Sequence, residues 1–169
     1  LWQPWASWIA LGWKSIETRT HHQFAHLVGK RIGIHAGQNW DDDAIGLASP
    51  WLTLQQQHMS EELRAVRGVL VCTNMVLGHG ILTEQHSKSA LIDCSRTRRY
   101  GLLLGEPRRL VTPWPLTGQQ GAWQATFPPF TMCKKCGCME ESACVNHGFT
   151  CHWATDDICS ACLTTDEWL

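Results

Sequence analysis

Tyrosine is nearly missing from this 169-residue chain: Tyr100 stands alone against ten tryptophans. Aromatic chemistry therefore falls to indoles, whose N–H groups need acceptors when buried. Charge is also scarce, at 17% of residues against 44% hydrophobic, which describes an ordinary globular protein slightly poor in charge. No apolar run approaches the ~20 residues that span a bilayer, which excludes a membrane-spanning helix. The first residues lack the charged, apolar and small-residue order of a secretory signal, so a cytoplasmic setting is expected. Internal repeats and low-complexity segments are missing too. Cysteine is sparse through most of the chain, with only Cys72 and Cys94 ahead of residue 133.

What is present is unevenly divided. Residues 1–130 hold 12 Lys and Arg against 9 Asp and Glu, net +3, whereas residues 131–169 hold 2 against 6, net −4. A charge of +3 is too small for strong non-specific duplex binding, which takes several phosphate contacts. Seven of the nine cysteines crowd between Cys133 and Cys162. Pro128 and Pro129 mark the linker between two expected parts, a body at 1–127 and a cysteine-rich module at 128–169.

The body opens on an apolar, tryptophan-rich stretch. Pro4 suits a first helical turn, Trp5, Trp8 and Ile9 recur at helical spacing, and Gly12 supplies the left-handed residue that ends many helices. Ser15 to Arg19 then alternates like a strand, with Glu17 and Arg19 on one face. With Lys14 at the corner, these make a charged cluster beside an apolar block, which fits either a solvated ion pair or a site.

Downstream, Arg31–Gly37 predicts a short strand that points Ile32, Ile34 and Ala36 inward. Asp41, Asp42 and Asp43 place acids near a helix start. Pro50–His58 reads as a connector, and Ser60 as the N-cap of a helix running through Arg67. Gly68–Val76 is the strongest strand signal. Residues 83–99 read as a loop, Tyr100–Leu104 as a strand, Glu106–Leu110 as a turn, and Val111–Leu116 as an edge strand because of its prolines. Short strands with frequent turns and a few short helices predict an α+β chain built on a small mixed barrel.

Four ordered stretches resemble the ASCH (activating signal cointegrator homology) domain family. They are Gln3-Pro4-Trp5-Ala6-Ser7 with Gly12-x-Lys14-x-x-Glu17-x-Arg19; Ile34-His35-Ala36-Gly37; the strand from Gly68; and Tyr100-Gly101 through Pro107-Arg108, with Gly118–Gly121 and Trp123. The resemblance implies a PUA-like β-barrel with flanking short helices, related to domains that bind RNA or modified nucleotides. It implies that Lys14, Glu17 and Arg19 line a nucleotide cleft walled by Trp5, with Arg98 and Arg108 as basic contacts. Aromatic rings can stack bases, a carboxylate can accept from an exocyclic amine, and lysine and arginine can meet phosphates. Some small relatives hydrolyse 4-acetylcytidine with a lysine, a threonine and a glutamate. Lys14 matches that lysine, but Glu17 stands at the threonine position. Others are ribonucleases, so Lys14 and Glu17 are the catalytic candidates if the chain is an enzyme.

The tail reads Cys133-x2-Cys136-x-Cys138-x5-Cys144-x6-Cys151-x7-Cys159-x2-Cys162. Two Cys-x2-Cys knuckles predict a structural zinc site of Cys133, Cys136, Cys159 and Cys162. Cys138, Cys144 and Cys151, with His147 or His152, are candidates for a second site or else plain thiols. Disulfides and an iron–sulfur cluster are the alternatives. The tail also resembles a cysteine-rich module of phage and prophage proteins, carried here by Gly137, Trp153 and Asp157. That likeness implies a viral or mobile-element origin, hence a host-cytoplasmic setting, and no activity. A further reading of the chain is a protein-interaction module of a phage or larger assembly, with the metal knuckle as the surface for a protein partner.

Overall fold

The computed structural model describes residues 1–124, 133–136, 138, 143, 145–146, 149–155 and 158–162. Cys144, His147, Gly137 and Asp157 therefore lie outside the described residues. The chain divides into two compact units, Leu1–Arg109 with Pro113–Ala122, and Leu110–Thr112 with Trp123–Leu169.

The first unit is a mixed α+β structure on an antiparallel sheet. Helix α1 (Trp5–Ala10) follows Pro4 and gives way to Gly12 at φ +74°, as its apolar spacing and glycine stop predict. Strand β1 (Ile16–Arg19) leads through a 3-10 turn at Gln23–Leu27 to β2 (Arg31–Ala36). Helices α2 (Ala44–Ala48) and α3 (Leu54–Glu62) precede the long strand β3 (Val69–Ile81). A short helix α4 (Ser87–Ala90) and strand β4 (Tyr100–Pro115) complete it. The sheet order is β1-β4-β3-β2, with every neighbour antiparallel. Ile34 and Ala36 of β2 are buried with Ala6, Ile9, Val71, Cys72 and Val76 in the largest core cluster. A second cluster gathers Trp8, Ala44, Ala48, Leu52 and Leu91.

Four local expectations are corrected. Ser60 is not an N-cap, and residues 54–58 are not a connector, because α3 begins at Leu54. Thr53 caps it, accepting from the Gln56 N–H while the Gln56 side chain accepts from the Thr53 N–H. That reciprocal capping box satisfies two orphan donors at the helix start. Residues 83–99 are not all loop, since they hold a 3-10 turn at Glu84–His86 and α4. The turn expected at 106–110 is instead an irregularity within β4, with Glu106 at φ +45° and a register shift against Thr73–Met75. A bulge of this kind bends a strand without ending it. The prolines fit the remainder: β1 covers only Tyr100–Leu103 of β4. Beyond it Pro107, Pro113 and Pro115 sit where only β3 pairs with the strand among the described residues.

The second unit contains a two-stranded antiparallel pair, β5 (Val145–Asn146) and β6 (Phe149–Thr150), and a 3-10 turn at Ser160–Cys162. Its buried cluster is made of Cys133, Cys138 and Cys159, with Cys151, Trp153, Ile158, Ala161 and Cys162 packed around them. No described helix is long and apolar enough to cross a membrane.

Candidate functional site

The charged corner of the first unit is held from below by its opening residues. Gln3, fully buried, donates to Ser7 Oγ (2.7 Å) and to the Val66 carbonyl (2.6 Å), and its Oε1 accepts from the Ser7 N–H. Trp5 and Trp8 meet edge to face, with centroids 4.8 Å apart. Each indole finds an acceptor: Trp5 donates to Asp41 Oδ2 (2.7 Å) and Trp8 to Ser60 Oγ (2.8 Å). Ser60 Oγ in turn donates a hydrogen bond to the Gln56 carbonyl (2.7 Å). Asp41 and Ser60, read from sequence as helix-start residues, thus serve the tryptophans.

After Gly12 the chain doubles back, and the Trp8 carbonyl accepts from both the Trp13 and Lys14 N–H groups. Lys14 is then driven inward. Its Nζ donates to the Ala90 carbonyl (2.7 Å), lies 5.1 Å above the Trp5 ring centre and stands 4.0 Å from Glu17 Oε2. Lys14 and Glu17 are only 2% and 7% exposed, so this is a sunken ion pair and not the solvated one that spacing alone allows. Burial brings the Lys14 ammonium down from its ordinary 10.5 to about 8, with Glu17 opposing the shift.

Glu17 is shared. Its Oε1 lies 3.1 Å from Arg19 Nη2, and the Arg19 guanidinium sits 5.3 Å above the Phe24 ring. Arg19 Nε is buried without an acceptor among the described residues, as is Arg99 Nε. Beside them, β1 pairs Arg19 with Tyr100. Arg98 lies 5.5 Å over the Tyr100 ring, His79 stacks parallel to it at 5.9 Å, and His22 tilts toward it at 5.8 Å. Gly101, next in β4, leaves room for Leu82 and Ile16, which a Cβ there would run into.

Trp5, Lys14, Glu17 and Arg19 therefore come together, with Arg98 close to them through Tyr100. Arg108 does not. It is set opposite Thr73, six residues further along β4 than Leu102, the partner of Glu17, or on the order of 20 Å of strand. Its neighbourhood is that of Arg31, which pairs with Glu106 (2.8 Å) and reaches Thr73. Tyr100, His22, His79 and Arg99 escaped sequence reasoning. Only the solitary tyrosine beside a basic run could have flagged them.

In the second unit, none of the six described cysteines forms a disulfide. The thiols of Cys133, Cys136, Cys138 and Cys159 all lie within 4.8 Å of one another, a group that can hold a metal ion. The Cys133 N–H donates to the Cys138 carbonyl (2.9 Å), closing the loop that brings the first three thiols to one side. The Cys159 N–H donates to Cys133 Sγ (3.4 Å). Burial alone would raise the Cys133 thiol, but the N–H groups of Cys159, Cys136 and Lys135 outweigh it and bring it down to about 6. An electron-rich sulfur ringed by donors is the form that ligates metal.

Three of the four expected first ligands are in this quartet, with Cys138 beside them. Cys162 packs against the buried cluster, and its N–H donates to the Cys159 carbonyl (2.9 Å). Cys151 touches Cys138, sulfur to sulfur at 3.6 Å. His152 is exposed and belongs to the group only through its backbone, which exchanges hydrogen bonds with Ser160. The four-sulfur donor set is that of a closed structural site for a thiophilic metal. Compared with known proteins, the chain matches no protein-family model and no curated sequence.

Proposed function

We propose that this chain binds RNA or a modified nucleotide at the Trp5–Lys14–Glu17–Arg19 corner of an ASCH-type, PUA-like barrel, while structural zinc holds its tail. The observation that carries the reading is the pairing of a sunken carboxylate with unspent cationic donors. Glu17 is fixed between Lys14 and Arg19 at 4.0 and 3.1 Å, and the Nε groups of Arg19 and Arg99 have no acceptor among the described residues. A phosphate or a base edge would supply acceptors to those guanidinium groups. Tyr100 and its histidines offer ring faces for a base. Lys14 works from beneath, fixing Glu17, while Arg19 and Arg98 are the groups a ligand meets first.

A second reading has its own support. A lysine brought down to about 8 by burial has the amine character that acid–base and nucleophilic chemistry use, which favours an acylcytidine amidohydrolase on the same corner. Glu17 in the threonine position weighs against it, so binding is preferred.

One set of measurements separates the two. The full chain is titrated with labelled single-stranded RNA and incubated with 4-acetylcytidine, alongside Arg19→Ala, Tyr100→Ala and Lys14→Ala. Binding predicts affinity that falls with salt. It also predicts about a tenfold or greater loss for Tyr100→Ala, the size of one lost base stack. Turnover that vanishes in Lys14→Ala would make the hydrolase reading the better one. Affinity indifferent to salt and to Arg19 and Tyr100 would remove the binding reading.

A further inference from the structure

Among the described residues of the tail, two thiols remain once the close quartet is assigned, Cys151 and Cys162. Around one metal with metal–sulfur bonds of about 2.3 Å, the ligand sulfurs of a tetrahedron stand about 3.8 Å apart. Two sulfur pairs in the tail have nearly that spacing: Cys136 with Cys159 at 3.7 Å, and Cys138 with Cys151 at 3.6 Å. Cys151 and Cys162 lie outside the mutually close quartet, and Cys162 packs on its buried centre with its N–H on the Cys159 carbonyl at 2.9 Å. The six described sulfurs thus extend beyond one tetrahedron at two places, through Cys138 to Cys151 and through Cys159 to Cys162.

We propose that the tail holds a binuclear zinc–thiolate cluster, with Cys133 and Cys159 bridging the two ions. Cys136 and Cys162 complete one shell, and Cys138 and Cys151 the other. The counting fits: two four-coordinate ions need eight metal–sulfur bonds, which two bridging and four terminal thiolates supply. Burial and reach together pick the bridges. Cys133, Cys159 and Cys138 are 0%, 1% and 2% exposed, and of these three it is Cys138 that meets Cys151 at 3.6 Å. Cys133 and Cys159 both lie within 4.8 Å of Cys136 and of Cys138, so either ion can reach them. Of the terminal ligands Cys138 is buried, Cys136 is exposed, and Cys151 and Cys162 are half-buried. Two zinc ions and six thiolates carry net charge −2, and the hydrogen bonds around the site oppose it. The Cys159 N–H points at Cys133 Sγ, and Lys135 anchors on the Cys162 carbonyl at 3.1 Å. A thirty-residue module with three cysteines as its buried centre gains its folding energy from metal, and a second ion would tie Cys151 into the same core.

This inference rests on the zinc reading of the tail, and the test keeps the two apart. The full chain, produced with zinc, is weighed by native mass spectrometry with elemental analysis, and its zinc is then exchanged for cadmium-113. The expected result is two zinc ions per chain, two cadmium resonances split by coupling through a shared sulfur, and loss of one ion in Cys151→Ser with the other retained. One zinc per chain in both wild type and Cys151→Ser would overturn the binuclear cluster while leaving a single structural zinc. Two resonances without mutual splitting would likewise overturn the sharing of thiolates. A brown, iron-bearing chain or a metal-free folded one would overturn the zinc reading itself.

Discussion

The two units bury polar chemistry in opposite ways. In the first, Lys14 and Glu17 lie under an apolar wall, and protein groups answer the lysine and both indoles: Lys14 by the Ala90 carbonyl, Trp5 by Asp41, Trp8 by Ser60. In the second, the buried centre consists of sulfur, and backbone N–H groups answer only part of it. A unit of the first kind stands on its own core. One of the second kind gathers four sulfurs that could hold a metal ion, and such an ion would replace repulsion between thiolates with bonds. The contrast teaches that a buried cluster of reactive groups is not by itself a reactive site; what completes its coordination decides its role.

The contrast can be broken most forcefully by removing metal. Structural zinc sites contribute about 10–16 kcal/mol of apparent binding energy. A strong chelator should therefore abolish hydrogen-exchange protection at residues 133–162 while leaving that of 1–122 in place. Loss of protection in both ranges would refute independent support. A smaller effect is expected at the tryptophan wall, where Trp8→Ala should cost about 3–5 kcal/mol in urea denaturation followed by circular dichroism. Ser60→Ala, which strands a buried indole N–H, should cost about 1–3 kcal/mol. A Trp8→Ala loss below 1 kcal/mol would mean the wall does not hold the corner.

The subtlest test is pH. The folded-state value for Lys14, about 8, lies below its unfolded value of 10.5, so between them the unfolded chain binds the extra proton. Stability should then rise as pH climbs from about 8 toward 10.5, by about 3 kcal/mol in all. Below about 8 both states are protonated and the penalty is constant. Cysteines titrate in the same window, so the comparison is with Lys14→Met, whose profile should lack this rise. Identical slopes for the two proteins would sink the sunken-lysine description.

Much of this frame was legible in the residues. The apolar spacing of Trp5, Trp8 and Ile9, the stop at Gly12, the alternation of β2 and the apolar run of β3 all point to what is observed. Local steric rules of this kind act over a few residues. The cysteine spacing marks the stretch where sulfur gathers, but the close quartet takes Cys138 where the paired knuckles point to Cys162. Helix α3 was hidden since its Leu54 is 83% exposed and Met59 40% exposed, leaving no apolar stripe to read; only Thr53 and Gln56 betrayed its start. The second half of β3 runs through Gly78 and Gly80, and β4 passes the left-handed Glu106. Residues that usually end strands are here tolerated by bulges. The Tyr100 cluster was illegible for another reason: β1, β3 and β4 must be paired before His79, Arg98 and Tyr100 become neighbours.

That last cluster has a practical consequence. A chain with one phenol, close to both the Arg98 guanidinium and the His79 ring, carries its own built-in reporter. Grown with 3-fluorotyrosine, the protein would give a single fluorine line. Whatever comes to rest on that face, whether base, phosphate or nothing at all, would be read from that one line without any substitution in the chain.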